Sequence, residues 1–270
     1  MRKEGFSLIE LLVVIAMITF LLAIAMPLLV IARQQARSIC CASNIRQLFI
    51  GMNVYNAENQ SLPPGFVDAL STSPPPGGYA GTMTHDSPGR WWFNYTTEYS
   101  ELNSRSLSEL WCPSRRVSDG ALADDVLCGN YGVNQSICRV YGGFMPGRSP
   151  NAEFTGGPLS LDEIPYPSQT LLLVDSGYAR ATWWSATADA PGELGMKVKQ
   201  ACYIPGLTIN SQKDIRPCQQ LDACEGRHPG RKVNVAYADG RIVLIKADDL
   251  TVNKTDDSYQ NRCPTWSPTD

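Results

Sequence analysis

The sequence predicts an α+β protein: one long N-terminal α-helix packed on an antiparallel β-sheet, with long loops around it. Three observations predict this. Residues 6–32 are almost wholly apolar. Apolar residues then recur at three- and four-residue steps as far as Tyr55, the mark of an amphipathic helix. Near the other end, two β-rich runs flank Asp239-Gly240, the pattern of a tight hairpin.

The apolar run, Phe6–Ala32, holds 27 residues and one charge, Glu10. As a helix it would be roughly 40 Å long, enough to cross a bilayer. Arg2 and Lys3 precede it, which puts the N-terminus in the cytoplasm; Arg33 and Arg37 lie beyond it. A carboxylate at the centre of a membrane helix costs roughly 2.5–3.5 kcal/mol, and less near an end. Glu10 therefore calls for a compensating charge. A free α-amino group on a neighbouring helix would supply it, provided the chain is cut just before Phe6.

The helical pattern continues through Ile45, Leu48, Phe49, Met52 and Tyr55, with Arg46, Gln47 and Asn53 on other faces. It fades near Asn59, before Pro63-Pro64. The expected organisation is residues 1–5 as a leader, 6–32 as a membrane helix and 33–60 as its amphipathic continuation. Residues 61–270 form an extracytoplasmic head.

Within the head, residues 61–90 are rich in Pro, Gly, Ser and Thr and read as a loop. Trp91-Trp92-Phe93 reads as core filler, the other use of such a cluster being to grip a sugar or a lipid headgroup. Residues 106–112 have a short-helix pattern. Thr170–Asp175 reads as a buried strand. Lys232–Tyr237 and Ile242–Ile245 read as a hairpin with a type I′ turn at Asp239-Gly240, placing Val233, Val235 and Tyr237 on one face.

Nine cysteines are many for a reducing compartment. Cys112, Cys128, Cys138, Cys202, Cys218, Cys224 and Cys263 are disulfide candidates; their number is odd and their connectivity cannot be read from spacing. Cys40 and Cys41 lie on the long helix and read as buried free thiols. There is no Cys-x-x-Cys pair, and the histidines are His85 and His228 alone, which argues against a zinc site. No metal or other cofactor is expected. Asp124-Asp125 and Asp248-Asp249 offer oxygen ligands of the kind calcium takes, but without ligand spacing they read as exposed acidic pairs. The net charge of −3 gives no nucleic-acid footprint.

Lys3-Glu4-Gly5-Phe6-Ser7-Leu8-Ile9-Glu10-Leu11-Leu12-Val13-Val14-Ile15 resembles the leader and helix start of type IV prepilins and type II secretion pseudopilins. The resemblance implies a pilin-like fold, cleavage after Gly5 by a membrane peptidase and methylation of the Phe6 amine. It implies that Glu10 pairs with the Phe6 amine of an adjacent subunit, and that Pro27 marks a helix kink. Its implied partners are a prepilin peptidase/methyltransferase, other pilin or pseudopilin subunits and the bacterial inner membrane.

A second resemblance is to a large bacterial family of prepilin-type proteins with a C-terminal His-x9-Asp-Gly signature. It rests on Cys41–Leu48 with Tyr55, Leu62-Pro63-Pro64, Trp111-Cys112-Pro113-Ser114 and Asn130–Asn134. Pro167–Thr170 with Asp175, Arg227-His228 and Ala238-Asp239-Gly240 complete it. Here ten residues separate His228 from Asp239, which implies a larger loop at Pro229–Lys232. The resemblance implies no catalytic activity.

Four other readings compete. A secretory signal peptide would be cut at Ala23-Ile24-Ala25, and a plain single-pass anchor would stay uncut. A membrane-anchored binding module, for polysaccharide, would use the prepilin leader without assembling. A hydrolase or metal enzyme would use His228 with Asp239. Turn chemistry accounts for Asp239-Gly240 without catalysis.

Overall fold

A computed structural model describes residues 7–74, 88–96, 110–123, 125–141, 152–187, 202–208, 215–255 and 258–268. Helix α1 runs unbroken from Leu8 to Asn59, with Pro27 inside it. It ends as the pattern requires: Gln60 turns left-handed (φ 56°), and its N–H donates to Asn56 O at 2.8 Å. Between Leu8 and Arg37 every residue is exposed, including the apolar side chains. From Ser38 onward one stripe is buried: Cys41, Ile45, Leu48 and Met52, with Phe49 packed beside them. One helix thus carries two surfaces, an all-round apolar one and a one-sided one. All-round apolarity suits lipid or other helices; the stripe suits a sheet.

That sheet has five strands. They are β3 (Tyr131–Asn134), β5 (Leu171–Asp175), β6 (Arg180–Ala181), β7 (Lys232–Tyr237) and β8 (Ile242–Lys246). The order is β6-β3-β5-β7-β8, antiparallel except for the β3–β6 pair. Helix α1 packs against β5, β7 and β8. A smaller sheet joins β1 (Phe66–Asp68) to β2 (Gly89–Trp91) and to β4 (Val140–Tyr141). A last hairpin pairs β9 (Asn253–Thr255) with β10 (Ser258–Gln260). This is the α+β, pilin-like architecture expected.

The central sheet is buried on both faces. The α1 side holds Ile45, Leu48, Met52, Val133, Leu173 and Ala236. The far side holds Val233 and Val235 with Phe154, Trp183 and Trp266, and Tyr237 packs against them. Strand β5 carries a bulge: Leu171 pairs with Tyr237, but Leu173 pairs with Ala236. Leu171 and Val174 therefore face the Trp266 side, while Leu172 and Leu173 both join the α1 side.

Several expectations are corrected. Residues 61–90 contain β1 and the start of β2, so the segment is not all loop. The hairpin turn is not type I′, which needs positive φ at both central residues; here only Gly240 (φ 87°) has it. Gly240 N–H donates to Tyr237 O, and Tyr237 N–H to Arg241 O, both at 2.9 Å. That closes a three-residue loop with glycine at its left-handed position. The short helix expected at 106–112 falls mostly outside the described residues, and Trp111-Cys112 is not helical. Trp91, Trp92 and Phe93 are core, as expected.

Cys112, Cys138, Cys218 and Cys224 carry free thiols, so disulfide bracing is not confirmed. Hydrogen bonds hold the loops and tail. Trp266 Nε1 donates to Leu250 O at 3.0 Å, and Leu171 N to Thr265 O at 2.8 Å. Asn134 Nδ2 donates to both Leu171 O and Trp266 O at 2.8 Å, tying the tail to the sheet. Asn134→Ala should cost about 1–3 kcal/mol, because two buried carbonyls lose a donor. Gly132→Ala should cost a similar ~1–3 kcal/mol by overpacking. Its Cβ would stand 2.7 Å from Ser176 Cβ and 2.8 Å from Tyr178 O. Urea titration followed by tryptophan fluorescence would measure both.

Candidate functional site

Two regions carry chemistry. The first is the start of α1. Glu10 is exposed, and its Oε2 accepts the Ser7 backbone N–H at 2.9 Å. This is the reach-back half of a capping box, satisfying one donor that every helix N-terminus leaves over. Residues 8–32 have the length and hydropathy of a membrane span. Gly5 and Phe6 lie outside the described residues.

The second region is a buried polar cluster beneath α1. Cys41 comes from the helix, Cys112 from the loop after Trp111, Asp175 from the end of β5, and His228 from the turn before β7. All four are buried, and one metal-ligating atom of each lies within 4.8 Å of every other. Asn44 Nδ2 donates to Trp111 O at 3.1 Å and to Tyr131 Oη at 3.2 Å, fixing the helix against this loop. Cys112 N donates to Asn130 Oδ1 at 3.1 Å.

His228 Nε2 lies 2.9 Å from Asp175 Oδ2. That same oxygen accepts the Asn234 backbone N–H at 2.6 Å. Asn234 Nδ2 is 2.9 Å from His228 Nε2 and reaches Ser38 O on α1 at 3.5 Å. Burial works against a charged imidazole, but the Asp175 carboxylate outweighs it and lifts His228 to about 9. Burial, then the neighbouring Cys41, pushes the Cys112 thiol well above its ordinary value.

Directly beneath, Arg227 pairs with Asp222 at 2.9 Å, both side chains fully buried. Its Nη1 donates to Asn130 O and its Nη2 to Ser176 O. Tyr203 Oη donates to Asp222 Oδ2 at 2.8 Å. Burial disfavours the guanidinium, yet Asp222 holds its pKa well above the usual value.

The structure does not bring His228 to Asp239. The carboxylate partner of His228 is Asp175; Asp239 is exposed, and its Oδ1 accepts the Arg241 N–H at 3.0 Å. Gly240 rests on Phe49 of α1, where a Cβ would meet the ring at 2.8 Å. The hairpin tip is thus a packing contact. Cys112, His228 and Asp175 have the residue types of a nucleophilic triad, but at 1%, 3% and 0% exposure they cannot receive a substrate. Asp125 is buried, with Oδ1 accepting Leu127 N–H at 3.0 Å, and so is not half of an exposed acidic pair. Asp124 lies outside the described residues. Asp248 and Asp249 are exposed.

Sequence reasoning missed Cys41 and Asp175 as members of a shared site. A signal was present: the scattered landmarks Cys41, Asn44, Cys112, Asn130, Tyr131, Asp175, Arg227 and His228 converge on this one place.

No curated protein and no solved structure matches the chain. The family model of the prokaryotic N-terminal methylation motif matches residues 1–26. The chain thus carries a prepilin-type methylation motif at the head of a long apolar helix, the combination of a prepilin-like protein.

Proposed function

We propose that this chain is a structural subunit of a type IV pilus-like or type II secretion pseudopilus-like assembly. A prepilin peptidase cuts it after Gly5, and the new Phe6 amine is methylated. Before assembly it is a single-pass protein of the bacterial inner membrane, with its head outside the cytoplasm. The apolar first half of α1 then moves from lipid to the packed helices of a filament.

The observation that carries this reading is the methylation motif joined to a helix whose exposed surface is almost wholly apolar as far as Ala32. A surface of that kind needs a non-aqueous partner. In the isolated chain Glu10 serves its own Ser7 N–H. In the assembly the carboxylate would turn to a neighbour's Phe6 amine, which fixes axial register. The alternative as a carbohydrate-binding module draws no support from Trp91, Trp92, Trp183 or Trp266, which are all buried.

The test is the N-terminal residue and intact mass of the mature protein from native membranes. A start at N-methylated Phe6 is expected. A start at Met26, or an uncut Met1, would overturn the reading.

A further inference from the structure

We propose that Cys41, Cys112, Asp175 and His228 bind one zinc-class divalent cation, which clamps α1 to the head. Four residues with metal-ligating groups, from four separate stretches of chain, place those atoms within 4.8 Å of one another in a buried site. Zinc bonds of about 2.0–2.3 Å place tetrahedral ligand atoms roughly 3.3–3.8 Å apart, so small side-chain rotations suffice.

The donor set is selective. Two thiolates, an imidazole and a carboxylate suit zinc and its soft neighbours and disfavour calcium and magnesium, which take oxygen. The site also has an outer shell. Asn234 holds Asp175 Oδ2 through its backbone N–H and stands 2.9 Å from the His228 ring, so the carboxylate and imidazole arrive oriented.

A second, independent observation points to a ligand. His228 Nδ1 and Asp175 Oδ1 are buried without a hydrogen-bond partner. Buried polar atoms without partners are rare, and each costs about 1–3 kcal/mol. Two of them in one pocket of metal-ligating side chains are accounted for by a coordinated ion. Full burial removes any path for a substrate, so the ion is structural. Two thiol protons leave as it binds, and a charged His228 imidazole gives up its ring proton, so the ion meets two thiolates and a neutral imidazole. This proposal holds whether or not the chain assembles into a filament.

The test uses the full-length protein, purified in detergent without chelator or metal-affinity resin. Elemental analysis should find one zinc per chain. Cys112→Ser and His228→Ala should lose it, while Cys40→Ser, on the exposed side of α1, should keep it. Should the variants fail to fold, the wild-type chain decides. Exchange of its zinc for cobalt(II) should give the near-ultraviolet charge-transfer absorption of thiolate ligation and the visible bands of a tetrahedral site. A wild-type chain that carries no zinc and takes up no cobalt would overturn the proposal. So would a mass two hydrogens lighter with a Cys41–Cys112 disulfide mapped, or full zinc retention by folded Cys112→Ser.

Discussion

Arg227→Met should cost about 3–5 kcal/mol of stability, the largest loss expected from a single change in the head. The guanidinium is fully buried and holds Asp222 through Nε and Nη2. Methionine fills a similar volume but leaves the Asp222 carboxylate buried and short of its counter-charge. Two carbonyls, Asn130 O and Ser176 O, lose their donor in the same step. These carbonyls adjoin strands β3 and β5, so the loss reaches both sheet edges of the polar cluster. The double variant Arg227→Met/Asp222→Leu removes both charges and should recover part of the loss, since an absent pair is cheaper than half of one. Urea unfolding of the full-length protein in detergent measures each value. A single-variant loss below about 1 kcal/mol would show that the pair does not anchor the fold.

Glu10→Gln should leave membrane insertion intact and reduce filament yield at least about tenfold, equivalent to about 1.4 kcal/mol per contact. Glutamine keeps a carbonyl oxygen able to accept Ser7 N–H, so the helix start is preserved. What disappears is the charge, the one feature the proposed pairing with a neighbour's amine requires. Glu10→Ala removes cap and charge together and should fall at least as far. Membrane fractionation and filament shearing separate insertion from assembly. Normal yield from Glu10→Gln would remove the charge-pairing role while leaving the motif itself untouched.

What could be read in the sequence was local. The apolar run, the stripe through Ile45, Leu48 and Met52, strand β5 and the β7–β8 hairpin each follow from periodicities of a few residues. Even there the hairpin turn was misread by type, because Asp-Gly supports two loop lengths and the β7–β8 register chose the longer. The small sheet was hidden because β1 and β2 have three residues each and sit at the ends of a Pro- and Gly-rich stretch. Such strands hold by pairing, not by propensity. The polar cluster was the least legible part. Its four residues are each more than 50 positions from the next, and none has a helper at ligand spacing. Only the packing of α1 onto the sheet brings Cys41 to Asp175. The His–Asp pair suggested by the signature was real in kind but wrong in partner: proximity in sequence favoured Asp239, while the sheet supplied Asp175.

The bulge in β5 decides which face of the sheet receives the carboxylate. In a regular strand, Leu171 and Asp175 would point the same way. The extra residue between Leu171 and Leu173 reverses the parity, so Leu171 meets the Trp266 core while Asp175 meets His228. Ironing the bulge out at constant length would swing the carboxylate toward the tryptophans and strand the imidazole, whereas deleting Leu172 would leave Leu171 and Asp175 three residues apart and still on opposite faces. Exchanging Leu172 for methionine would leave the spacing unchanged. What the site depends on is therefore the opposite parity of the strand's first residue and its aspartate, which a bulged four-residue step or a regular three-residue step both supply.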